Sequence, residues 1–511
     1  MVESVTARCL CGAEDGDEYE YLGIPMIGCG CGIERQKVEV DEAGLAAWYR
    51  TEYLSGVYYH SEEQDIGVAG QRLDAYDLGA PVRILDVGTA NGAFVSAARD
   101  RGHDAWGQDL AEQSESQSVY IGKLDEIAFP AASFEVVTCH DVLEHVPDPA
   151  GFLHEIGRIL EPGGRFFLDF PAFHDRSGTH HWKRTEHLWM LDPEQLADLV
   201  ESQGFEVEAI RYPVESKVVF YCRSKLKVSD ASILVPPGIG DGYWVAAKLP
   251  AFLEEKGLRL PTVYVHDSGP RRSGNFWASV PFVRFGGYRK IERGEAWRRA
   301  YDAPGQAVQE DVEGIDYFVS FNGVLDGGRS LSDALPGPID WHVQIFRSKA
   351  RDAAAKRFAK DFAPYVVVSF WDRGFYADSY LPHFPETEII ATLRRIADAG
   401  LRVVVMGAAF DRGSIATRLS ASDERFIDLV GETSFAELVG LVESASAVLG
   451  FPAGNTLLGP YLGTPSVLLW SDHFPASFRE HCVSPDAPHY PIDVRTATSR
   501  EVVAEVIGVA R

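Results

Sequence analysis

"RILDVGTANGAF", residues 83–94, decides the reading of the first half of the chain. Ile84 to Val87 is a buried-strand run that carries one acid, Asp86. A glycine turn follows, and a helical pattern begins after Gly92. Glycine tolerates positive φ and lets backbone approach a ligand closely. The first turn of the helix leaves N–H groups free to bind one. Gly88 and Gly92 are spaced G-x-x-x-G, so the dinucleotide fingerprint G-x-G-x-x-G is not met. The next strand, "HDAWGQDL", ends at Asp109, where an acid can accept two hydrogen bonds from a ribose diol. This is a ligand-binding corner of an α/β fold.

Outward from this corner, strand and helix patterns alternate. "SFEVVTCHDVLEHV" is a strand with its loop, and "AGFLHEIGRILEPGG" is a helix with a Pro-Gly-Gly stop. "RFFLDFP" is a strand, "DPEQLADLVESQGF" a helix, and "EVEAIRYP" and "KVVFYCRS" are closing strands. The aromatic stretch "WYRTEYLSGVYYHSEEQD" before the corner is expected to be helical. "RSKLKVSD", residues 223–230, is short and polar, and the main domain boundary is placed there. "SILVPPGIGDGYW", residues 232–244, then opens a second corner. A helix "KARDAAAKRFAKDF" and a block starting at "YVVVSFWD" follow, ending in the helix "SREVVAEVIGVA". Residues 267–345 are irregular. Such alternation implies mostly parallel sheets covered by helices. The expected domains are a cysteine module at 1–40, an α/β domain at 41–224, and two Rossmann-like halves at 230–350 and 351–511.

The chain has 511 residues and a formal net charge of −27. A phosphate backbone would be repelled by most of this surface, which argues against DNA or RNA as a partner. No run of about 18 apolar residues marks a transmembrane helix. The start "MVESVTARCLCG" lacks a basic n-region and apolar h-region, so a cytoplasmic location is expected. Four of the seven cysteines, Cys9, Cys11, Cys29 and Cys31, lie near the N-terminus. Two Cys-x-Cys pairs could supply four thiolates to one tetrahedral structural zinc ion. Each pair is one residue short of the usual Cys-x-x-Cys knuckle, and reduced thiols are the alternative.

Residues 82–210 resemble a class I S-adenosylmethionine-dependent methyltransferase. "ILDVGTANGAF" is similar to that family's first motif and "GQDLAEQ" to its acidic second-strand motif. "FPAASFEVVTCHDVLEHVPDPAGFLHEIGRILEPGGRFFLDFP" is similar to its fourth and fifth motifs. The resemblance implies that Asp86, Gly88 and Gly92 surround the methionine part of S-adenosylmethionine and that Asp109 holds its ribose. Leu124 and Asp125, in "KLDEI", would flank the adenine, with His140 on the adjoining strand end. The cysteine module and "TEHLWMLDPEQLADLVESQGF" resemble sugar methyltransferases. There a Glu-His pair serves acid/base chemistry, and it maps onto Glu186 and His187. Deprotonating a hydroxyl, or a carbon beside a carbonyl, needs a base with a pKa near 7. His145, in "LEHV", is a rival candidate.

"ILVPPGIGDGYWVAAKLPAFLEEKG" and "LRVVVMGAAFDRG…FIDLVGETSFAELVGLVESASAVLGFPAGNTLLGPYLGTPSVLLW" resemble the heptosyltransferase-like GT-B glycosyltransferases. The resemblance implies sugar transfer from a nucleotide-sugar to a sugar or glycan acceptor, with Asp241 as the base on the acceptor hydroxyl. Thr433, Ser434, Gly454 and Asn455, at helix starts, would supply backbone N–H donors to the diphosphate, and Arg373 a cation. The family's "Asn-Asp-Ser-Gly-Pro-x-His" is replaced by "FPAGNTL" at 451–457, so its Asp and His are missing. Asp241 could also be an N-cap aspartate on the following helix. The leading expectation is a two-enzyme fusion acting in surface-glycan or glycoside biosynthesis. A methyltransferase carrying a non-catalytic glycan-binding module is the alternative. Methylation and glycosylation of a nucleic-acid base is a third reading, opposed by the charge.

Overall fold

The apolar runs of the sequence become the central strands, because a strand covered on both faces must be apolar on both. A computed structural model describes residues 5–6, 9, 16–30, 33–37, 39–40, 62–112, 117–171, 187–214, 217–267, 273–290, 314–319, 341, 345–370, 375–408, 411, 413, 418–419, 423–472, 479 and 483–510. The chain divides into two compact units, Met1–Val228 and Ser229–Arg511. Among the described residues no helix is long and apolar enough to cross a membrane.

The first unit is built on a seven-stranded sheet. Its order is Phe205–Val214, Lys217–Ser224, Leu160–Pro171, Phe134–His140, Arg83–Val87, Asp104–Asp109 and Val119–Ile121. Lys217–Ser224 runs antiparallel to both its neighbours, and the other pairings are parallel. Ile84, Leu85, Val87, Val137 and Cys139 are completely buried. The helices Pro149–Ile159 and Pro193–Ser202 start by the same device. Asp148 accepts from the Gly151 N–H, and Asp192 from the Glu194 and Gln195 N–H groups, each followed by proline at the first helical position. Proline has no N–H to lose there, and the aspartate satisfies donors the helix leaves free. The strand expected at 165–171 begins at Leu160, with a register shift between Leu160 and Arg165.

The strands Asp17–Tyr21, Ile24–Gly28 and Glu34–Gln36 form an antiparallel sheet whose fourth member is Trp189–Met190. The N-terminal segment therefore pairs with a strand from far along the chain, Trp189 opposite Arg35 and Met190 opposite Glu34. The helix expected over residues 48–65 falls mainly outside the described residues. The helix Glu62–Tyr76 is described.

The second unit has two parallel sheets. One orders Arg284–Arg289, Thr262–His266, Ser232–Val235 and Tyr317–Phe318. The other orders Phe426–Asp428, Arg402–Val405, Tyr365–Ser369, Ala447–Gly450, Ser466–Trp470 and His489–Asp493. In both, the first strand in the chain lies inside the sheet, so the winding reverses beside it and leaves a crevice at the carboxyl ends. One apolar core runs from Ile233 and Val235 of the first sheet to Val367, Val448 and Leu468 of the second. The edge strands Phe426–Asp428 and His489–Asp493, and Arg284–Arg289 and Tyr317–Phe318 inside the stretch read as irregular, are absent from the sequence reading, because they are short and carry little apolar patterning.

Candidate functional site

Asp86 sits near the end of the central strand Arg83–Val87, buried. Thr138 on the neighbouring strand donates its hydroxyl to Asp86 Oδ1 at 2.6 Å. His140 Nδ1 lies 3.2 Å from the same oxygen, and His140 Nε2 shares a 2.8 Å hydrogen bond with the Tyr76 hydroxyl. With Nδ1–H facing the carboxylate, Nε2 is the acceptor and Tyr76 the donor. The turn after the strand takes positive φ at Gly88, Ala90 and Gly92. A Cβ on Gly88 would stand 2.2 Å from Val142 Cγ2, so no other residue fits there. Thr89, inside the turn, has a buried hydroxyl with no hydrogen-bond partner among the described residues. A buried polar atom left unpaired at a glycine turn suits a bound polar ligand.

Asp109 is tied to this turn. Its Oδ2 accepts from the Ala90 N–H at 2.8 Å and its Oδ1 from the Ala111 N–H at 3.0 Å. Burial raises its pKa, and these backbone bonds oppose the rise. Gly107 on the same strand makes room for the turn, since a Cβ there would meet Thr89 Cγ2 at 2.6 Å. Leu124 is buried and Asp125 exposed in the single helical turn Leu124–Ile127. Asp86, Gly88, Gly92, Asp109 and His140 thus surround the place where the strand order reverses, between Arg83–Val87 and Phe134–His140.

A charged cluster borders this corner. Arg72 Nη2 lies 2.8 Å from Asp169 Oδ2, and Lys217 Nζ lies 3.2 Å from Asp169 Oδ1. Lys217 also pairs with Asp141. Burial alone would raise Asp169, but Lys217 and Arg72 outweigh it and hold the carboxyl below its ordinary range. Tyr76 stacks on Phe167 with centroids 4.0 Å apart, and burial pushes its hydroxyl well above the usual tyrosine pKa.

Beyond His140 the chain turns into Leu143–His145. Glu144 there is buried, and neither carboxylate oxygen has a hydrogen-bond partner among the described residues. Burial, reinforced by Asp141, pushes its pKa well above the carboxylate range. His145 Nε2 is 3.8 Å from Glu144 Oε1, and the His145 and His187 rings meet edge to face at 4.7 Å. One ligand atom from each of Glu144, His145 and His187 lies within 4.8 Å of the others. The N-terminal sheet holds His187 in place: Gln36 Nε2 donates to the His187 carbonyl at 2.8 Å, and the Gln36 N–H donates to Leu188 O. The Leu188 N–H donates to Glu144 O, and Trp189 Nε1 donates to Val146 O. Glu186 lies outside the described residues, as do Cys11, Cys31 and Arg373. Cys9 is buried and Cys29 half-buried. Buried thiols are a suitable donor type for zinc.

In the second unit, the helix Ile239–Lys256 starts at the carboxyl end of Ser232–Val235. Its N-cap is Gly238, so Asp241 sits in the third helical position and the N-cap reading of Asp241 is corrected. Asp241 is half-buried, and its carboxyl has no hydrogen bond to the described residues. Burial pushes its pKa up to about 7. Opposite stands the first turn of Gly454–Tyr461. A Cβ on Gly454 would stand 3.0 Å from the Gly240 N atom, and one on Gly240 would stand 3.4 Å from the Gly454 Cα. The two helix starts therefore meet glycine to glycine, with Tyr243 stacked on Tyr461 at 5.2 Å.

The residues that replace the missing Asp and His are apolar and buried. Phe451 packs on Phe370 and Tyr380, with centroids 5.0 and 4.6 Å apart. Thr456 is fully buried, accepts from the Ala453 N–H at 2.8 Å and donates to Phe451 O. Asn455 and Thr433 are half-buried. Ser434 caps the helix Phe435–Glu443, accepting from the Glu437 N–H and donating to Glu437 Oε2. Its hydroxyl and its backbone N–H both bond Glu437 in that cap, where the sequence reading had a backbone donor to a diphosphate.

Residues 60–210 match the model of a methyltransferase domain. The Idiomarina loihiensis ubiquinone biosynthesis O-methyltransferase is 37% identical over 101 residues, 17% of this chain and 41% of that protein. The Neisseria meningitidis serogroup A protein of the same description is 28% identical over 191 residues, 30% of this chain and 78% of that protein. The chain thus spans less than half the length of the first of these relatives. The structure titled Burkholderia thailandensis 1,6-didemethyltoxoflavin-N1-methyltransferase with bound 1,6-didemethyltoxoflavin and S-adenosylhomocysteine is 19% identical. It covers 41% of this chain and all (100%) of its own, with TM-score 0.31. The structure titled E. coli ADP-heptose lps heptosyltransferase II is 14% identical. It covers 55% of this chain and 98% of its own, with TM-score 0.38.

The methyltransferase match takes in the whole Asp86–His140 corner. It also takes in several site residues the sequence reading missed: Arg72, Tyr76, Thr138, Glu144 and Asp169. Tyr76 and Arg72 come from a helix before the motif, and nothing local marks them. Glu144 stood in the quoted "LEHV" beside His145, and its chemistry became visible only through its burial.

Proposed function

We propose that the first unit transfers a methyl group from S-adenosylmethionine to a small acceptor, with sugars as the acceptor class. The observation that carries this is the convergence of Asp86, Gly88, Asp109 and the unpaired Thr89 hydroxyl at the reversal of strand order, within residues that match a methyltransferase domain. Bound there, S-adenosylmethionine supplies an electrophilic methyl on its sulfonium. The glycine turn, with no side chain at Gly88, lets the backbone approach the cofactor closely. Asp109 presents a carboxylate to the ribose hydroxyls while its backbone bonds fix its direction. Asp86 and Tyr76 orient His140 from both sides. Orientation of this kind accounts for much of a transfer rate when the methyl donor is already activated.

Calorimetric titration of the full chain with S-adenosylhomocysteine tests this reading. One site per chain is expected, and Asp86→Ala should weaken it at least tenfold. No binding to the wild type would overturn the assignment.

For the second unit the reading is a GT-B glycosyltransferase that takes a nucleotide-sugar and uses Asp241 as base on the acceptor hydroxyl. A carboxylate with a pKa of about 7 is matched to that task. Two Rossmann-like parallel sheets with Asp241 at a carboxyl-end crevice support it. A specific observation favours the second reading, a glycan-binding module without catalysis: apolar Phe451, Pro452 and Ala453 are buried where the family carries polar residues. Nucleotide-sugar hydrolysis by the full chain decides between them. Turnover lost in Asp241→Asn supports catalysis, and no turnover of any donor supports the binding module. The N-terminal cysteines, on this reading, hold a structural zinc, which metal analysis of a four-cysteine variant tests.

A further inference from the structure

We propose that Glu144, His145 and His187 form a binding site for one divalent transition-metal ion, distinct from the N-terminal cysteines. Glu144 is 2% exposed, and among the described residues neither of its oxygens has a hydrogen-bond partner. An ionised carboxylate buried without a partner costs several kcal/mol, so native proteins protonate it, pair it or bind a cation to it. It faces two imidazoles, and one nitrogen of each and one of its own oxygens all lie within 4.8 Å of one another. Two imidazoles and one carboxylate suit zinc, iron, cobalt or nickel, and three protein ligands leave a coordination position open.

The distances fit a site that tightens on loading. Ligand atoms about 2.0–2.2 Å from a tetrahedral ion are roughly 3.4 Å from one another. Glu144 Oε1 and His145 Nε2, at 3.8 Å, need a small approach, and the widest pair a shift of about an ångström. The three residues come from two segments that backbone bonds clamp together, Leu188 N–H to Glu144 O and Gln36 to Leu188 and His187. Secondary support of this kind fixes the direction of ligands. The N-terminal sheet thereby gains a role in the site: it holds the segment that carries His187.

Glu144 and His145 follow the strand Phe134–His140, at the same sheet end as Asp86 and Gly88. An open position there suits an oxygen of a hydroxylated methyl acceptor, whose proton would pass to water more easily on binding the ion. That last part rests on the methyl-transfer reading, whereas ion binding does not. On this assignment His187 is a metal ligand and not the acid/base partner of Glu186.

The probe is cobalt(II). The full chain, stripped with a chelator, is reloaded with cobalt, freed of excess and analysed for metal per chain and for visible absorption. The wild type should hold one cobalt more than Glu144→Gln. The difference spectrum should show ligand-field bands without thiolate-to-cobalt charge transfer, separating this ion from any at the cysteines. Cobalt should also raise the unfolding midpoint of the wild type by about 5 °C more than that of the variant. Should Glu144→Gln not fold, His145→Gln, at a half-buried position, serves the same comparison. Equal cobalt in wild type and variant, or a difference spectrum dominated by thiolate charge transfer, would overturn the site. S-adenosylhomocysteine titration of the same samples keeps the two readings apart. Asp86→Ala should lose the nucleoside and keep the cobalt, and loss of cobalt with intact nucleoside binding defeats the metal site alone.

Discussion

The two glycine corners differ in how they treat their acids. At the first, Asp86 is bonded by Thr138 and faced by His140, and Asp109 accepts two backbone N–H groups. At the second, Asp241 has no hydrogen bond to the described residues, and a glycine of the opposing helix start packs against the turn. The first corner is preorganised and polar, and its Thr89 hydroxyl has no partner among the described residues. The second holds a lone acid at the edge of an apolar core. A similar strand-turn-helix pattern can therefore frame a finished binding site or a single poised carboxyl. The difference lies in what neighbouring strands bring.

Four changes break or sharpen that contrast. The largest effect is expected for Gly88→Val. Its φ of 72° and the 2.2 Å approach to Val142 forbid a side chain, so a loss of about 3 kcal/mol or more is expected. Urea unfolding and S-adenosylhomocysteine titration check it; unchanged binding would mean the turn does not cradle the ligand.

Asp241→Asn comes next, and its effect depends on pH. The folded carboxyl titrates at about 7 and an unfolded one near 3.9. The folded chain therefore binds more protons between these values, and stability falls as pH rises from about 4 to about 7. The asparagine variant escapes that fall. It should match the wild type near pH 4 and exceed it by roughly 2 kcal/mol at pH 8. Equal stability of the two proteins at both pH values would show that Asp241 is better solvated than its surroundings suggest.

Gly454→Ala places a Cβ 3.0 Å from the Gly240 N atom. Moving two helix starts apart by a few tenths of an ångström should cost about 1–2 kcal/mol, read as a lower unfolding midpoint. A stabilised variant would mean that the corner opens readily. The smallest effect belongs to Ser434→Ala. Losing the cap on Phe435–Glu443 should cost about 1 kcal/mol without changing nucleotide-sugar hydrolysis. A selective loss of hydrolysis would restore Ser434 to the donor site.

Much of the framework is legible in the sequence because it rests on local rules. The Asp-Pro pairs at 148–149 and 192–193 start helices, and the all-valine run in "YVVVS" is a central strand. The glycine turn at 88–92 is equally readable, since positive φ favours glycine. Phe426–Asp428 and His489–Asp493 are not readable, because an edge strand of three to five residues needs a neighbour more than a pattern. Local spacing also could not say that the N-terminal sheet would take Trp189–Met190 as its edge strand.

The sequence by itself determined the parallel α/β pattern, the glycine corner at Asp86 and the chemistry on offer at each acid and histidine. These follow from periodicity, turn geometry and side-chain type, all short-range properties. Only the tertiary structure decided which of those groups meet. It placed Tyr76 against His140 across 64 positions, and Gln36 against His187 across 151. It buried Glu144 beside two imidazoles and left it and Asp241 without a hydrogen bond from their carboxyls to the described residues. A group's pKa and its fitness as a ligand depend on burial and on neighbours in space, and the sheet order sets both.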